Sequence, residues 1–297
     1  MTKKFILAIL VIALACGLVL TLSINLKKGT VYNESKNKWY ITIQQAINDA
    51  AEGDKIKIYP GVYKENIVIN KSLVIEGYER DSVIIEQGTR SVIALRMISN
   101  NATVRNLTIR NSHFGIYIFY TRRNSIVNVK IINCELAIMI RHSNETLVKN
   151  NVIMNAACVG IEIYHSSSNV LIGNKIINTT GDYGGIFITY SSNNEIKANF
   201  IANNTYGIIV YSSFDNLIYN NNFINNSKQC NSQVSINKWD SGYPLGGNYW
   251  SDYSGSDTDN DGIGDTPYII NEENKDRYPL VKPYSGIDPL YADSAPN

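Results

Sequence analysis

The apolar residues between Val104 and Asn225 recur with a period of about 22 residues. Within each repeat they come in pairs two positions apart, as in Ile161 and Ile163, which is strand periodicity and not helical periodicity. Two columns run through all six copies: Ile109, Ile131, Ile153, Ile176, Ile201, Phe223 and Val104, Ile126, Val148, Leu171, Ile196, Ile218. Two more skip the last copy: Ile116, Ile138, Ile161, Ile186, Ile208 and Ile118, Ile140, Ile163, Ile188, Val210.

Polar residues keep the same register. An Asn column lies beside the first apolar column, and two further columns follow: Asn111, Asn133, Asn155, Asn178, Asn203, Asn225; Asn124, Thr146, Asn169, Asn194, Asn216; and Thr121, Ser143, Ser166, Ser191, Ser213. Asn tolerates a left-handed turn, and its amide can donate to one neighbouring coil while accepting from the other. We interpret all three columns as structural corners.

Short strands separated by Asn, Gly and Ser turns leave no room for a helix in any copy. A repeat of this length and periodicity predicts an all-β fold, a parallel β-helix in which equivalent side chains stack about 4.8 Å apart. The apolar columns then form the core.

The amino-terminal segment is a second pattern. Lys3 and Lys4 precede an apolar run from Phe5 to Leu22, which predicts a cytoplasmic amino end and an extracytoplasmic remainder. A convincing small-x-small cleavage site is missing, so an uncleaved signal anchor within residues 1–29 is favoured over a removed signal peptide. A lipoprotein attached at Cys16 is a weaker alternative.

We expect the β-helix over residues 30–225 and a carboxyl-terminal cap over 226–297. Ile43, Ala46, Ile47 and Ala50 follow helical spacing and Gly53 is expected to end that helix. A short amphipathic helix within an amino-terminal cap, about residues 40–64, would cover the first coil.

The two ends resemble a known family. Gly53-Asp54, the stretch 60–65 (Pro-Gly-Val-Tyr-Lys-Glu) and the stretch 70–77 resemble the opening coils of pectin-lyase-like right-handed β-helix proteins, in particular the NosD-like group. The stretches 237–243, 246–253, 257–268 and 276–280 are similar to the terminal signature of that group. The resemblance implies a right-handed β-helix and an accessory protein for the copper centre of nitrous oxide reductase, with a copper enzyme or its maturation partners as partners.

This resemblance makes a copper site the first candidate. The candidates are His142, His165, Met139 and Glu162. His142 and His165 share a column on neighbouring coils, and His and Met suit copper. Tyr120 and Tyr190 continue that column, so simple ring stacking is the alternative interpretation.

A ladder of aromatic residues predicts a second candidate, a carbohydrate-binding face. It comprises Tyr117, Phe119, Tyr120, Tyr164, Phe187, Tyr190 and Tyr211. Sugar rings stack on aromatic faces, although outward Tyr and Phe are also ordinary strand formers. Paired carboxylates, which glycoside hydrolysis needs, are not found on adjacent coils at Glu135, Glu145, Glu162, Asp182, Glu195 or Asp215, so we expect no catalysis.

A third candidate is the acidic stretch Asp257, Asp259, Asp261 and Asp265 with Gly262. This spacing matches most of a calcium loop, but the twelfth position is Tyr268 and not the closing Glu. A calcium site that rigidifies the terminal cap is predicted, with a solvated acidic turn as the alternative.

The net charge and the cysteines narrow the possible functions further. A formal net charge of +1 gives no sign of nucleic-acid binding. Cys134 and Cys158 lie one coil apart, which makes a disulfide reasonable, and Cys230 has no obvious mate. Together the residues favour a non-enzymatic, membrane-tethered protein outside the cytoplasm that binds copper or presents a ligand-binding face. The alternative is a polysaccharide-binding or polysaccharide-active surface protein.

Overall fold

The computed structural model describes residues 29–86 and 93–286. Within those residues the chain forms a parallel β-solenoid, which confirms the predicted fold class. Each turn, or rung, contributes one short strand to each of three long sheets. The predicted signal anchor lies at residues 1–28, outside the described residues, apart from Gly29.

The first sheet has eleven strands within the described residues. They are β1 (Val31–Asn33), β2 (Lys38–Tyr40), β3 (Lys55–Ile58), β6 (Val74–Gly77), β9 (Thr103–Arg105), β12 (Ser125–Val127), β15 (Leu147–Lys149), β18 (Val170–Ile172), β21 (Glu195–Lys197), β24 (Phe214–Tyr219) and β27 (Ile236–Lys238). All pair in parallel except β1, which is antiparallel to both β2 and β3.

The second and third sheets are parallel throughout the described ranges. The second contains β4 (Gly61–Tyr63), β7 (Val83–Glu86), β10 (Thr108–Arg110), β13 (Lys130–Ile132), β16 (Val152–Met154), β19 (Lys175–Ile177), β22 (Phe200–Ala202), β25 (Asn222–Ile224) and β28 (Tyr249–Trp250). The third contains β5 (Ile67–Ile69), β8 (Ile93–Met97), β11 (Phe114–Phe119), β14 (Leu136–Arg141), β17 (Val159–Tyr164), β20 (Gly184–Thr189), β23 (Tyr206–Tyr211) and β26 (Lys228–Gln233).

The predicted apolar columns form the core. Ile131 pairs with Ile109 on one side and Ile153 on the other, and both neighbours are fully buried. The other columns keep the same one-to-one register, as between Ile138 and Ile161. Each rung therefore buries its branched side chains directly on those of the next, which is the main source of stability in a solenoid.

The outer Asn column turns the chain between the second and third sheets. Its members have left-handed φ angles between 50° and 58°. The Asn155 amide donates to the Asn133 side chain at 3.1 Å, and Asn178 donates to Asn155 at 3.3 Å. The prediction that this column combines turn geometry with an amide ladder is confirmed.

Two buried Asn ladders lock neighbouring rungs together. One is the predicted column that continues through Asn169, Asn194, Asn216 and Asn237; the other, which the sequence analysis missed, contains Asn151, Asn174, Asn199, Asn221 and Asn248. In each step one side-chain oxygen accepts from both the backbone N–H and the amide of the preceding Asn, as Asn221 does from Asn199 at 3.0 and 2.9 Å. These bonds satisfy buried backbone groups at corners where no strand pairing exists.

The amino-terminal cap contains the predicted helix, α1 (Ile43–Asp49), whose N-cap Thr42 accepts from the backbone of Gln45. Ile43, Ala46 and Ile47 are buried against the first rung. The helix ends at Asp49, four residues before Gly53, because Ala50 is already extended. Gly53 instead forms the following turn, at φ 83°.

The carboxyl-terminal cap begins later than residue 225. β26, β27 and β28 still pair in parallel with the preceding rung, so the stacking continues to Trp250. A hairpin of β29 (Tyr268–Ile269) and β30 (Lys275–Asp276) then closes the end. The side chains of Asn274 and Asp276 accept the last bonds of the two Asn ladders, from Asn237 and Asn248.

Candidate aromatic groove and histidine stack

The outer face of the third sheet carries most of the predicted site residues. Strand alternation points Ile161 and Ile163 into the core, so Glu162 and Tyr164 face outward. Register places Glu162 between Met139 and Phe187, and Tyr164 between Arg141 and Thr189. The sheet thus presents two outward columns along the solenoid axis.

At the edge of this face four rings form one continuous stack. The ring centroids of Tyr120 and His142 are 4.7 Å apart, those of His142 and His165 are 5.2 Å apart, and those of His165 and Tyr190 are 4.9 Å apart. The interplanar angles are 6°, 6° and 14°. All four residues have left-handed φ angles between 45° and 53°, so the same corner repeats and aligns the rings. Stacking helps to offset the cost of that backbone, about 1 kcal/mol per residue.

The predicted copper ligands do not converge on one point. The two imidazoles are nearly parallel, and because ring nitrogens bind metals in the ring plane, their lone pairs run side by side. Met139 is 1% exposed, and both oxygens of Glu162 accept from Arg141. Among the described residues, His142, His165 and Glu162 are not a group whose ligand atoms lie within 4.8 Å of one another. The column was predicted correctly, but these four residues do not fit a closed copper site.

A groove of about 380 Å³ opens beside the stack. It is lined by Leu136, Arg141, Val159, Glu162, Tyr164, Tyr183, Phe187, Thr189, Tyr190 and Tyr211. Tyr183 stacks on Phe187 with centroids 4.8 Å apart, and Tyr190 meets Tyr164 and Tyr211 edge to face at 6.0 Å. Tyr183, Tyr190 and Tyr211 are 47%, 48% and 37% exposed, so their rings are available to a ligand.

An ion pair forms the floor of the groove. The Arg141 Nε and Nη2 donate to the two oxygens of Glu162 at 2.7 and 3.1 Å. The guanidinium also lies over the Tyr164 ring, 5.3 Å from its centroid. Burial works against the charge on Arg141, but the Glu162 carboxylate outweighs it and keeps the arginine pKa above its ordinary value. The pair is therefore a fixed, neutral unit.

The predicted aromatic residues divide into two groups. Tyr164, Tyr190 and Tyr211 line the groove together with Phe187. Tyr117, Phe119 and Tyr120 lie on the rung of β11, where they contact one another with centroid distances of 5.4 and 4.3 Å. Tyr183 was missed by the sequence analysis. It lies in the longest coil of the repeat between Val104 and Asn225, and the extra length of that coil was the available signal.

The four predicted calcium ligands do not all lie together. Asp257, Asp259 and Asp261 place carboxylate oxygens within 4.8 Å of one another. Asp265 instead accepts bonds from Ser256 and from the backbone of Thr258, at 3.1 and 3.0 Å. Three of the four residues are thus gathered, and calcium binding there stays a prediction.

The predicted disulfide between Cys134 and Cys158 is not formed, and the described cysteines are free thiols. Cys134 is buried, whereas Cys158 is half-buried and its backbone N–H donates to Glu135. The additional residue of this coil lies between the second and third sheets, which separates the two side chains. Burial raises the pKa of Cys134 to about 11 and also raises the pKa of Cys158.

Comparison with known proteins gives the family. The model of a family described as periplasmic copper-binding protein (NosD) matches residues 47–255. The chain belongs to this family. The resemblance of its two ends to the NosD-like group is therefore confirmed.

Relatives match over part of their length. A probable ABC transporter binding protein NosD of Pseudomonas aeruginosa is 33% identical over 156 residues, covering 47% of this chain and 36% of that protein. A cell surface glycoprotein of Methanothermus fervidus is 27% identical over 239 residues, covering 68% of this chain and 39% of that protein. The chain thus spans about two fifths or less of these relatives.

Solved structures match the chain at low similarity. The catalytic domain of an alpha-1,3-glucanase in complex with nigerose has a TM-score of 0.41 at 15% identity, covering 73% of this chain and 46% of that chain. An alginate lyase from Paenibacillus has a TM-score of 0.36 at 10% identity, covering 70% of this chain and 94% of that chain. Within residues 29–86 and 93–286, none of the helices has the length and apolar character needed to cross a bilayer.

Proposed function

We propose that this member of the NosD family is a non-catalytic binding protein outside the cytoplasm that holds a carbohydrate in the groove of the third sheet. The observation that carries the proposal is the set of exposed rings Tyr183, Tyr190 and Tyr211, of which the first two flank β20 and the third ends β23 on the next rung. Apolar faces of sugar rings stack on aromatic side chains, while tyrosine hydroxyls and Thr189 can bond to sugar hydroxyls.

The carboxylates support binding without catalysis. Glycoside hydrolysis needs two carboxyl groups placed across the scissile bond. Among the described residues that line the groove, Glu162 is the only carboxylate, and Arg141 occupies both of its oxygens. A proton donor and a base for sugar chemistry are therefore not provided by this set of side chains.

Affinity electrophoresis through gels that contain single polysaccharides tests the proposal. The protein should be retarded by at least one polysaccharide. The double variant Tyr190→Ala, Tyr211→Ala should bind about tenfold more weakly, since two stacking contacts are lost. Tyr78→Ala is the matched control, because Tyr78 is 59% exposed and stacks on Tyr59 in a different part of the molecule. Equal migration in every gel would remove the proposal.

Copper binding by the histidine stack is a second candidate, favoured by the family description and by the 5.2 Å spacing of His142 and His165. The two rings could supply a ligand pair only if they turned about their side-chain bonds. Titration of the protein with Cu(I) and with Cu(II) tests this. His142→Ala with His165→Ala should abolish binding, whereas His113→Ala should not, because His113 is held by Glu135 at 2.7 Å. Unchanged binding in the double variant would exclude the stack.

We also propose that the protein is tethered to the membrane and lies outside the cytoplasm. The family is described as periplasmic, and the apolar run from Phe5 to Leu22 fits a membrane tether. The full chain should remain with membranes after an alkaline wash. Release of the full chain into the wash would contradict an uncleaved anchor.

A further inference from the structure

We propose that the groove selects neutral carbohydrates over acidic ones, and that Glu162 sets this selectivity by pairing with Arg141. The inference rests on the proposed carbohydrate binding. It concerns the charge of the ligand and names a residue that determines specificity.

The charges of the groove lining cancel each other. Arg141 and Glu162 are the charged residues among the described groove-lining side chains, and they pair with each other through two hydrogen bonds. The groove floor therefore has no net charge. A polysaccharide of uronic acids would lose hydration around each carboxylate without gaining an unpaired cation, which is unfavourable.

The two members of this ion pair are buried to different degrees. The Glu162 side chain is 8% exposed, whereas that of Arg141 is 35% exposed. The carboxylate is thus the more buried partner, and it holds the guanidinium over the Tyr164 ring, 5.3 Å from its centroid. The remaining N–H groups of Arg141 can donate to neutral hydroxyl oxygens without the full positive charge that would attract an anion.

A further carboxylate lies near the rim of the groove. Asp182 is exposed next to Tyr183, which lines the groove. A carboxylate at this position adds a repulsive charge for a polyanion and costs a neutral ligand little. The rim and the floor therefore favour the same class of carbohydrate.

The test compares the wild-type protein with three variants on neutral polysaccharides (a galactomannan, a xyloglucan, a soluble glucan) and on polygalacturonate and alginate. Wild type should be retarded by a neutral polysaccharide and by neither acidic one. Glu162→Gln frees the cation and should increase affinity for an acidic polysaccharide about tenfold, the effect of one charge-assisted contact. Glu162→Gln with Arg141→Gln should lose that gain. Glu195→Gln, which breaks the ion pair with Lys197 on the first sheet, is the charge-matched control.

The outcomes separate the two proposals. Wild-type retention on an acidic polysaccharide, or the absence of any gain in a folded Glu162→Gln variant, overturns the selectivity while leaving carbohydrate binding intact. Folding is checked by circular dichroism and urea titration, and Glu162→Ala provides a second way to free Arg141. Failure of every variant on all five polysaccharides removes the proposed function itself.

Discussion

The indole Nε1 of Trp250 donates a 2.9 Å hydrogen bond to the carboxylate of Asp276, and both residues are buried at the end of the solenoid. The same carboxylate oxygen accepts from the backbone N–H of Asn248 at 2.7 Å, and the other oxygen accepts from that of Tyr278 at 3.1 Å. An acceptor is needed at this position, because the backbone N–H of Asn248 and the indole of Trp250 both point at it, whereas the Asn248 side-chain amide already donates to the carbonyls of Ile218 and Trp239. Asp276 therefore terminates the ladder.

Replacing Asp276 with Ala should lower the free energy of unfolding by about 2–4 kcal/mol, because several buried donors lose their acceptor. Urea unfolding followed by tryptophan fluorescence reports this directly, since Trp239 and Trp250 are both buried at the end of the solenoid and Trp250 bonds to Asp276. Asp252→Ala is the control, because Asp252 is exposed and accepts a single 3.2 Å bond from Tyr268. Equal loss of stability in both variants would show that the ladder does not depend on its terminal acceptor.

The stability contributed by Asp276 should also depend on pH. Burial raises the pKa of this carboxyl to about 7, although the N–H donors around it act in the opposite direction. Between about pH 4 and pH 7 the folded protein keeps the proton that the unfolded chain releases, so stability falls as pH rises through this interval. The stability of wild type relative to Asp276→Asn should fall over the same range. A constant difference in urea midpoint would contradict the assignment.

The inner and outer Asn columns should differ in their contribution to stability. Asn199→Ala should cost about 2–4 kcal/mol, because the side chain accepts from Asn174 and donates to Asn221 in the buried ladder. Asn155→Gly should cost less than about 1 kcal/mol, since Asn155 is exposed and glycine tolerates its φ of 56°. Thermal midpoints of the two variants check this. A larger loss of stability in Asn155→Gly than in Asn199→Ala would show that the turn residues contribute more than the buried ladder.

The described thiols should react at different rates. In a Cys16→Ser background, a maleimide should label Cys158 first, because this residue is half-buried while Cys134 is buried and its pKa is raised to about 11. Burial also raises the pKa of Cys230, so it should react slowly. Peptide mass spectrometry over time distinguishes the sites. A mass consistent with a bond between Cys134 and Cys158 would contradict the free thiols.

Calcium is expected to raise the thermal midpoint of the cap. The gathered carboxylates of Asp257, Asp259 and Asp261 repel one another, and an oxygen-preferring cation would relieve this repulsion. Calorimetry with added calcium and then with excess chelator measures the effect, and Asp259→Asn should remove it. Asp265→Asn should retain it, because Asp265 bonds to the loop backbone. An unchanged midpoint on chelation would favour the solvated turn.

Stacked positions were predictable from the sequence because, in a solenoid, residues that are one coil apart along the chain lie in contact. Ile131 and Ile153 are paired in the fold as their common column required, and so are His142 and His165. The sequence could not show that the two imidazoles would lie parallel. Ring orientation depends on the left-handed corner, which the repeat spacing does not encode.

Features that depart from the repeat were not predictable. Cys134 and Cys158 look close in the alignment, but the insertion point within their coil determines that only Cys134 is buried. The capping role of Asp276 joins it to Asn248 outside the periodic region, so no column indicated it. Tyr183 enters the groove from inserted residues that have no counterpart on the neighbouring rungs.

In the repeat between Val104 and Asn225, the corner between the second and third sheets accepts the extra residues of the two longer coils, and it also borders the ring-lined groove. Evolution can lengthen or shorten the chain there without shifting any interior isoleucine. Small insertions or deletions at this corner can thus change the side chains that surround the groove, while the axial scaffold is inherited unaltered.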